Sequence, residues 1–410
     1  MRRLLYLSAF LLVPALSAVT PLVAVPAITA SAGAQGWEAY ALGISIGSLV
    51  CVLVELGWPL TGPQRVAAEA PGLRWETLLQ SLRTRLLALI VLAPVAVVLA
   101  VVLTYATGSE HETTTVLMAL ASAVTGLSCN WYFTGVGKPL RILTSDALPR
   151  ALMVTVAAVA VAAGAPIWVV PAGYLIAVLC GPAAALALAR HERTGPASFT
   201  IRGDLRSIRS QWAAMSGRSV AALYMALPVT LVAGFAPSAL AAFAAADRLM
   251  RMTLSILVAL PNAMQNWVGS ASSPLERRHR IRDALVINAA VGVVAGVGFA
   301  VLAPWVSGVL FSGAVDIDPT LALVSGVVLA LVCISRATGP LGLVRYGRIH
   351  ALALSSVVAA CVGVPAVCVL AVVGGAVGAV VGEIAAEVTA IGMQSAVLAS
   401  AVRRDARGDP

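Results

Sequence analysis

Twelve apolar stretches, each long enough to cross a membrane, follow one another along this 410-residue chain with short polar connections between them. A bilayer core of about 30 Å needs roughly 20 apolar residues in a helix. Composition agrees, because 60% of the residues are hydrophobic and 11% are charged, whereas soluble domains carry about a quarter charged residues. The sequence therefore predicts an all-α, polytopic membrane protein.

The spans are defined by the apolar residues between polar breaks. They are predicted over Leu4–Thr29, Trp37–Leu60, Leu86–Tyr105, Thr114–Val136, Ile142–Ala163, Ile167–Leu188, Met215–Gly234, Ala239–Trp267, Ala284–Phe311, Thr320–Pro340, Ala351–Val372 and Ala376–Ala401. All six cysteines fall inside these spans, which favours packing thiols over a disulfide framework.

Basic residues occur at both termini and in every second connection. Lysine occurs once, at 138, so 26 of the 27 basic residues are arginine, and the formal net charge is +9. The six other connections contain no Lys or Arg. Because basic connections stay in the cytoplasm, this alternation predicts that both termini are cytoplasmic.

The twelve spans divide into two sets of six around the longest basic connection. The predicted halves are residues 1–195 and 196–410, and both begin in the cytoplasm, as parallel repeats would. Matching residues support a duplication: Pro21 with Pro228, Pro59 with Pro261, and Gly137–Lys138 with Gly347–Arg348.

Catalytic motifs are absent from the sequence. Lys138 precedes a proline, so no phosphate-binding P-loop exists, and the four histidines are isolated from one another. No predicted external connection exceeds roughly a dozen residues, given the expected span length. We therefore expect a protein that is not an enzyme, with no catalytic residue and no metal site.

Charged residues at membrane depth are costly and mark functional sites. Asp247, Arg248 and Arg251 share one face of the eighth span, because residues three and four apart are neighbours on a helix. The alternative to a cavity is an ion pair of Asp247 with Arg251 within the helix. In that case the positive charge of Arg248 remains in excess on this face. Since a planar guanidinium matches phosphate, the sequence favours a polar cavity for an anionic substrate, such as a phosphate-bearing lipid head group.

Further ionisable residues lie in other spans. Glu383 and Glu387, four residues apart in the twelfth span, either neutralise the arginines or couple transport to an ion. Arg218 in the seventh span and Arg336 in the tenth are further substrate-binding candidates, although Arg218 alternatively snorkels to the interface. Glu55, near the end of the second span, is expected to pair with inner arginines.

Ordered motifs along the whole chain carry a family resemblance. They are GWEAYALG at 36–43 with VELG at 54–57, WYFTG at 131–135 with Lys138, AAADR at 244–248 with LPN at 260–262, and the segment 304–313. In these motifs the chain resembles the polysaccharide-transporter branch of the multidrug/oligosaccharidyl-lipid/polysaccharide flippase superfamily, the Wzx-type flippases of O-antigen and capsule repeat units. It departs from that pattern in having twelve spans, where many members have fourteen, and in lacking a Lys-rich inner face.

The resemblance implies a MATE-like fold of two six-helix bundles in the bacterial cytoplasmic membrane, working by alternating access. The cargo would be an undecaprenyl-pyrophosphate-linked oligosaccharide for lipopolysaccharide or capsule export. Arg248 and Arg251, with Arg218 and Arg336, would hold the pyrophosphate. Implied partners are membrane lipids and the polysaccharide biosynthesis machinery, without nucleic acid, and no cofactor is implied beyond a coupling Na⁺ or H⁺.

Three other functions remain open at this point. One is an ion-coupled multidrug exporter of the same superfamily, in which Asp247, Glu383, Glu387 or Glu55 would bind the ion. Another is a major-facilitator carrier, whose characteristic loop after the second span does not match residues 61–65. The last is a non-transporting scaffold of a cell-wall complex in the lipid-II-flippase-like group.

Overall fold

A computed structural model describes residues 16, 20–192, 218–271 and 273–407, and the regular structure of that part is helical throughout. Its α-helices, in chain order, are α1 Val25–Val54, α2 Trp58–Ala68, α3 Pro71–Thr107, α4 Glu112–Val124, α5 Asn130–Gly135, α6 Pro139–Ile142, α7 Leu148–Ala162, α8 Val169–Ala189, α9 Arg218–Phe235, α10 Leu240–Leu257, α11 Ala259–Gly269, α12 Pro274–Leu310, α13 Pro319–Arg336 and α14 Ile349–Arg407. The all-α class is confirmed.

Eight helical segments within the described residues are long and apolar enough to cross a membrane. Helix α14 contains both the eleventh and the twelfth predicted spans, separated by a kink at Gly374 and Gly375. Helix α1 likewise kinks at Gly33, between the first and second predicted spans. Most of the first predicted span, and the connection over residues 193–217, lie outside the described residues.

The predicted starts of the third and ninth spans, Leu86 and Ala284, were too late. Helix α3 begins at Pro71 and α12 at Pro274, so both continue into the basic connections. A helix begins where its first turn is capped, and hydropathy does not determine that point. At α12 the Ser273 hydroxyl accepts a hydrogen bond from the Glu276 amide at 3.2 Å, and proline suits the first helical turn because its missing N–H is not needed there.

The second and eighth spans are broken helices, whereas the sequence predicted each as continuous. The second breaks after α1, where Leu56 and Gly57 have positive φ angles of 48° and 75°. The eighth breaks at Val258, between α10 and α11. Pro59 and Pro261, predicted to correspond, each lie just after a break, in the first turn of α2 and α11.

The fourth and tenth spans end in the same structural motif. Gly137 and Gly347 have φ angles of 72° and 69°, a left-handed conformation that glycine adopts without strain. The amides that follow these glycines donate back along the chain, from Lys138 to the Phe133 carbonyl at 2.8 Å and from Arg348 to that of Leu343 at 2.9 Å. These are Schellman caps, so the predicted Gly137–Lys138 and Gly347–Arg348 correspondence joins two turns of the same kind.

The short helices α2 and α5 pack closely together. Gly135 lies against the Pro63 backbone, where an added β-carbon would be 2.6 Å from the Pro63 carbonyl oxygen. Gly62 lies against the Trp131 ring, and the rings of Trp58 and Trp131 are 5.3 Å apart. The fourth span also breaks before α5, over residues 125–129, so both short helices follow a helix break.

The chain divides into two compact units, residues 1–230 and 231–410. The predicted division after residue 195 lies outside the described residues and stays a prediction. The first unit has a core around Trp58, Tyr132 and Phe133, and the second has one around Ile281 and Leu343. Apolar side chains also cover the outside of the spans, as lipid contact requires; on α3 these include Ile90, Val91, Val95, Val98 and Val102.

Candidate functional site

Helix α10 in the second unit presents the first charged pair. Asp247 is buried, at 7% exposure. Arg251, one turn later, donates from Nε to Asp247 Oδ2 at 2.7 Å. Its second nitrogen lies 2.7 Å from Oδ1, in an ion pair without hydrogen-bond geometry. The pairing within the helix, which was the alternative to the favoured cavity, is therefore present, and Arg248 lies half-buried beside it.

The second part of α14 presents two carboxylates to this pair. Glu383, 6% exposed, lies within electrostatic reach of Asp247, Arg251 and Glu387. Among the described residues, no hydrogen-bond donor reaches Glu383 Oε2. Two buried carboxylates thus lie within electrostatic reach of each other, with the Arg251 guanidinium beside Asp247, and such a pair favours binding of a proton or another cation.

Arg336, the last residue of α13, also lies within electrostatic reach of these carboxylates, through Glu387. Arg336 donates to the Leu254 carbonyl oxygen at 3.3 Å, and the carboxylate of Glu387 interacts with Arg336 and with the Ser335 hydroxyl. The structure thus brings together five residues predicted from three different spans. We call Asp247, Arg251, Arg336, Glu383 and Glu387 the charged cluster.

The charge of this cluster differs from that of α10 alone. In sequence, Asp247 with Arg248 and Arg251 leaves an excess of positive charge. The structure adds Glu383, Glu387 and Arg336, so that α10, α13 and α14 together contribute three carboxylates and, with Arg248 counted, three guanidinium groups. The arginines of this region are therefore matched by acidic groups.

Two other predicted residues are not part of the charged cluster. Arg218 is the first residue of α9, and its side chain lies outside the described part of the structure. Glu55 belongs to the first unit, where it caps the end of α1 beside the Leu56–Gly57 break. Glu55 lies within electrostatic reach of Arg85, and its pairing with an inner arginine stays a prediction.

Arg85 is a residue that the sequence analysis assigned to a cytoplasmic connection. It is wholly buried in α3. Its Nε donates to the Ser81 carbonyl at 3.2 Å, and its Nη1 donates to the carbonyls of Gly126 at 3.0 Å and Ser128 at 2.7 Å. The guanidinium carbon also lies 5.8 Å from the centre of the Trp131 ring. Arg85 thereby supplies donors to the carbonyls that the break of the fourth span leaves without helical partners.

A sequence signal for Arg85 did exist. Thr77, Ser81 and Arg85 are spaced four residues apart in α3 and are all buried. Polar residues at that spacing share one helix face, and in an otherwise apolar span such a face points to the protein interior. The run of neighbouring arginines concealed this pattern.

A second polar network lies in the first unit at a π-helical turn, Leu143–Ala147. Asp146 accepts hydrogen bonds from Asn130 Nδ2 at 2.5 Å and from Arg150 at 2.8 Å. Arg150 also donates to the Tyr174 hydroxyl at 3.4 Å. Arg150 lies inside the predicted fifth span, Ile142–Ala163, but was not among the predicted site residues; π turns recur at functional sites.

A comparison with protein-family models and one with curated proteins found no match. Solved structures do match over almost the whole chain. The lipid II flippase MurJ, in an inward closed conformation, is 11% identical with a TM-score of 0.71, covering 98% of this chain and 90% of its own. An inward-facing multidrug resistance MATE family transporter of the MOP superfamily is 12% identical with a TM-score of 0.67, covering 96% and 98%.

The Vibrio cholerae MATE transporter VcmN, in a mutant form, is a further match. It is 16% identical with a TM-score of 0.54, and the match covers 99% of this chain and 98% of that one. At such identities the likeness establishes the fold alone. The chain is a multi-pass membrane protein with the 12-helix, two-bundle fold of MATE transporters and the MurJ flippase.

Proposed function

We propose that this protein is a flippase that moves an undecaprenyl-pyrophosphate-linked oligosaccharide across the bacterial cytoplasmic membrane by alternating access. The observation that carries the proposal is the likeness over almost the full length to a flippase of a lipid-linked molecule, at a TM-score of 0.71. The charged cluster supports it, because its arginines are half-buried in predicted spans and ionisable residues at membrane depth mark functional sites.

In this proposal Arg251 exchanges partners during the cycle. In the structure its fork faces Asp247. Arginine binds carboxylate and phosphate through the same planar fork, so a pyrophosphate can take the place of Asp247. Arg248 and Arg336 would add contacts to the same head group, and Arg218 is a further candidate from α9.

Displacing Asp247 leaves a buried carboxylate beside Glu383, and such a pair needs compensation. Binding of H⁺ or Na⁺ by Asp247 and Glu383 would supply it, with Glu387 and Glu55 as further candidates for ion coupling. Binding of the cargo and binding of the ion would then be thermodynamically linked, which coupled transport requires.

The test is translocation of the lipid-linked oligosaccharide in proteoliposomes that contain the purified protein, together with accumulation of inward-facing intermediate in a deletion strain. We expect Arg248→Ala and Arg251→Ala each to lower the translocation rate at least tenfold. The matched control is Arg282→Ala, which removes an exposed arginine of α12 in the same unit. Unchanged translocation in Arg248→Ala and Arg251→Ala would remove the proposed head-group site.

Coupling is tested with Asp247→Asn and Glu383→Gln under imposed Na⁺ or pH gradients. We expect both variants to lose the gradient dependence that the wild type shows. Glu276→Gln is the control, because Glu276 lies in the first turn of α12 outside the charged cluster. Gradient dependence retained in both cluster variants would exclude these carboxylates as the coupling site.

The second candidate function is an ion-coupled exporter of small molecules. It is favoured by the match to a multidrug MATE transporter and by the acidic groups that offset the arginines in the charged cluster. Transport of a cationic dye by the same proteoliposomes, without translocation of the lipid-linked oligosaccharide, would support this candidate over the flippase.

A further inference from the structure

The first unit contains a cavity of about 430 Å³ that none of the preceding sites uses. It is lined from residues 31–32, 110–111, 113–114 and 164–168, which belong to helix ends and connections at the predicted outer side. Its volume falls within the range of about 300–1,000 Å³ found for small-molecule pockets. The space is therefore large enough for one or two sugar rings.

Helix ends fix two of the walls. Helix α7 ends in a Schellman cap, in which the Gly164 amide donates to the Val161 carbonyl at 3.0 Å and the Ala165 amide donates to that of Ala160 at 2.9 Å. Helix α4 begins where the His111 carbonyl accepts from the Thr114 amide at 3.0 Å. Walls held by backbone hydrogen bonds keep their shape when a ligand is absent, which lowers the cost of binding.

The cavity combines an aromatic face with hydrogen-bonding groups. Trp168 lines it with an indole that is 44% exposed, and Ile167 is buried below. The exposed carboxylate of Glu110, the half-buried imidazole of His111 and the hydroxyl of Ser31 also line it. An aromatic ring with adjacent acceptors and donors suits a ligand that has one apolar face and a polar edge.

Charge narrows the class of ligand. Within the described part of the chain, Glu110 is the one lining residue with a formal charge, since His is counted as neutral, and neither Lys nor Arg lines the cavity. A phosphate would meet a carboxylate without a cation to offset it, which is unfavourable. A sugar ring is uncharged, presents C–H groups on one face and carries hydroxyls at its edge, so it matches the indole and the polar groups together.

We propose that this cavity binds a saccharide, with a pyranose ring against Trp168 and its hydroxyls donating to Glu110. The inference rests on the proposed function for its biological meaning, since it gives the sugar of the cargo a binding place at the predicted outer side. The binding itself is a property of the first unit and can be measured without any lipid-linked cargo.

The experiment uses the full chain in lipid nanodiscs free of glycoside detergent. The probes are the methyl glycosides of glucose, galactose, N-acetylglucosamine and rhamnose, and binding is measured by saturation-transfer NMR and by tryptophan fluorescence. We expect saturable binding of at least one probe. Trp168→Ala and Glu110→Gln should each weaken it at least tenfold, while the thermal unfolding temperature stays within a few degrees of the wild type.

Trp305→Ala is the matched control, because Trp305 is also exposed at the predicted outer side, at 69%, but does not line the cavity. Binding should be unchanged in that variant. No saturable binding of any probe, or equal binding by Trp168→Ala and the wild type, would overturn the proposal. Displacement of the bound glycoside by millimolar tetramethylammonium, with loss of tetramethylammonium binding in Glu110→Gln, would overturn it in favour of a cation site.

The saccharide-binding test and the translocation test of the flippase can succeed or fail independently. Saccharide binding lost in Trp168→Ala supports the cavity even if Arg251→Ala leaves translocation unchanged. Conversely, translocation that depends on Arg251, without glycoside binding, supports the flippase and removes the cavity proposal.

Discussion

Gly296 of α12 and Gly326 of α13 face each other so closely that a β-carbon on either would collide with the carbonyl oxygen of the other. Small residues allow this approach of two helix backbones in a membrane, where packing takes the place of the hydrophobic effect. We expect Gly296→Ala to separate the helices and to lower the free energy of unfolding by about 1–3 kcal/mol, as overpacking does. Thermal unfolding in detergent measures the effect.

The control for this substitution lies in the same helix. A β-carbon on Gly298 would have no atom within 4 Å, so Gly298→Ala should leave the unfolding temperature unchanged or raise it slightly, because alanine favours the helix. Equal destabilisation by both substitutions would contradict the close approach of the two helices as its cause.

Arg85 provides a prediction about the broken fourth span. Replacing it with Met retains the length of the side chain but removes the donors to the Gly126 and Ser128 carbonyls. Buried acceptors left without donors cost about 1–3 kcal/mol each, so we expect a marked fall in thermal stability. Arg85→Lys should rescue this only in part, since an ammonium lacks the fork that reaches both carbonyls.

The neighbouring Arg83 gives the comparison for Arg85. It is only half-buried on the same helix, and we expect Arg83→Met to shift the unfolding temperature by much less. A comparable loss in Arg83→Met would indicate a general effect of removing arginine from this segment.

The Asp247–Arg251 pair is suited to a double-mutant cycle. Asp247 is buried, while the Arg251 side chain is 32% exposed. Removing either partner leaves the other charge in the membrane interior, so Asp247→Asn and Arg251→Gln should each destabilise the protein by about 1–3 kcal/mol. The double variant should cost less than the sum, because neither charge then remains unpaired. Additive losses would mean that the pair contributes no coupling.

The kink of α14 predicts a contrast between adjacent glycines. Gly375 has φ +58°, whereas Gly374 has φ −123°. With its ψ of −138°, Gly375 adopts a backbone conformation that is essentially confined to glycine and that costs other residues about 1–3 kcal/mol, so Gly375→Ala should destabilise the turn and Gly374→Ala should not. Thermal unfolding of the two single variants checks this, and a reversed order would contradict the assigned geometry.

Sequence periodicity predicted the parts of the fold that depend on local spacing. Residues four apart share a helix face whatever the tertiary structure, and Asp247 and Arg251 pair as that rule requires. The same spacing rule predicted that Glu383 and Glu387 lie on one face of their helix. It did not predict that this face packs against α10 and α13. That step depends on how helices pack, which a single sequence does not specify.

Helix ends and breaks were harder to predict for a different reason. Hydropathy reports where a chain enters lipid, whereas a helix ends where its backbone groups find other partners. Arg85 illustrates the difficulty with helix ends and with helix breaks. Its charge suggested a position in a connection, whereas it lies within α3. Its hydrogen bonds to the Gly126 and Ser128 carbonyls compensate for a helix break more than 40 residues away in sequence.

The packing of α2 against α5 has a mechanical consequence. Helices α2 and α5 each follow a break in their span, at residues 55–57 and 125–129, where the regular α-helical hydrogen bonds are interrupted. Bending at these points therefore breaks few further backbone bonds, while the Gly135–Pro63 contact ties the two segments together. Helices α2 and α5 would therefore move as one rigid pair, with bending confined to residues 55–57 and 125–129.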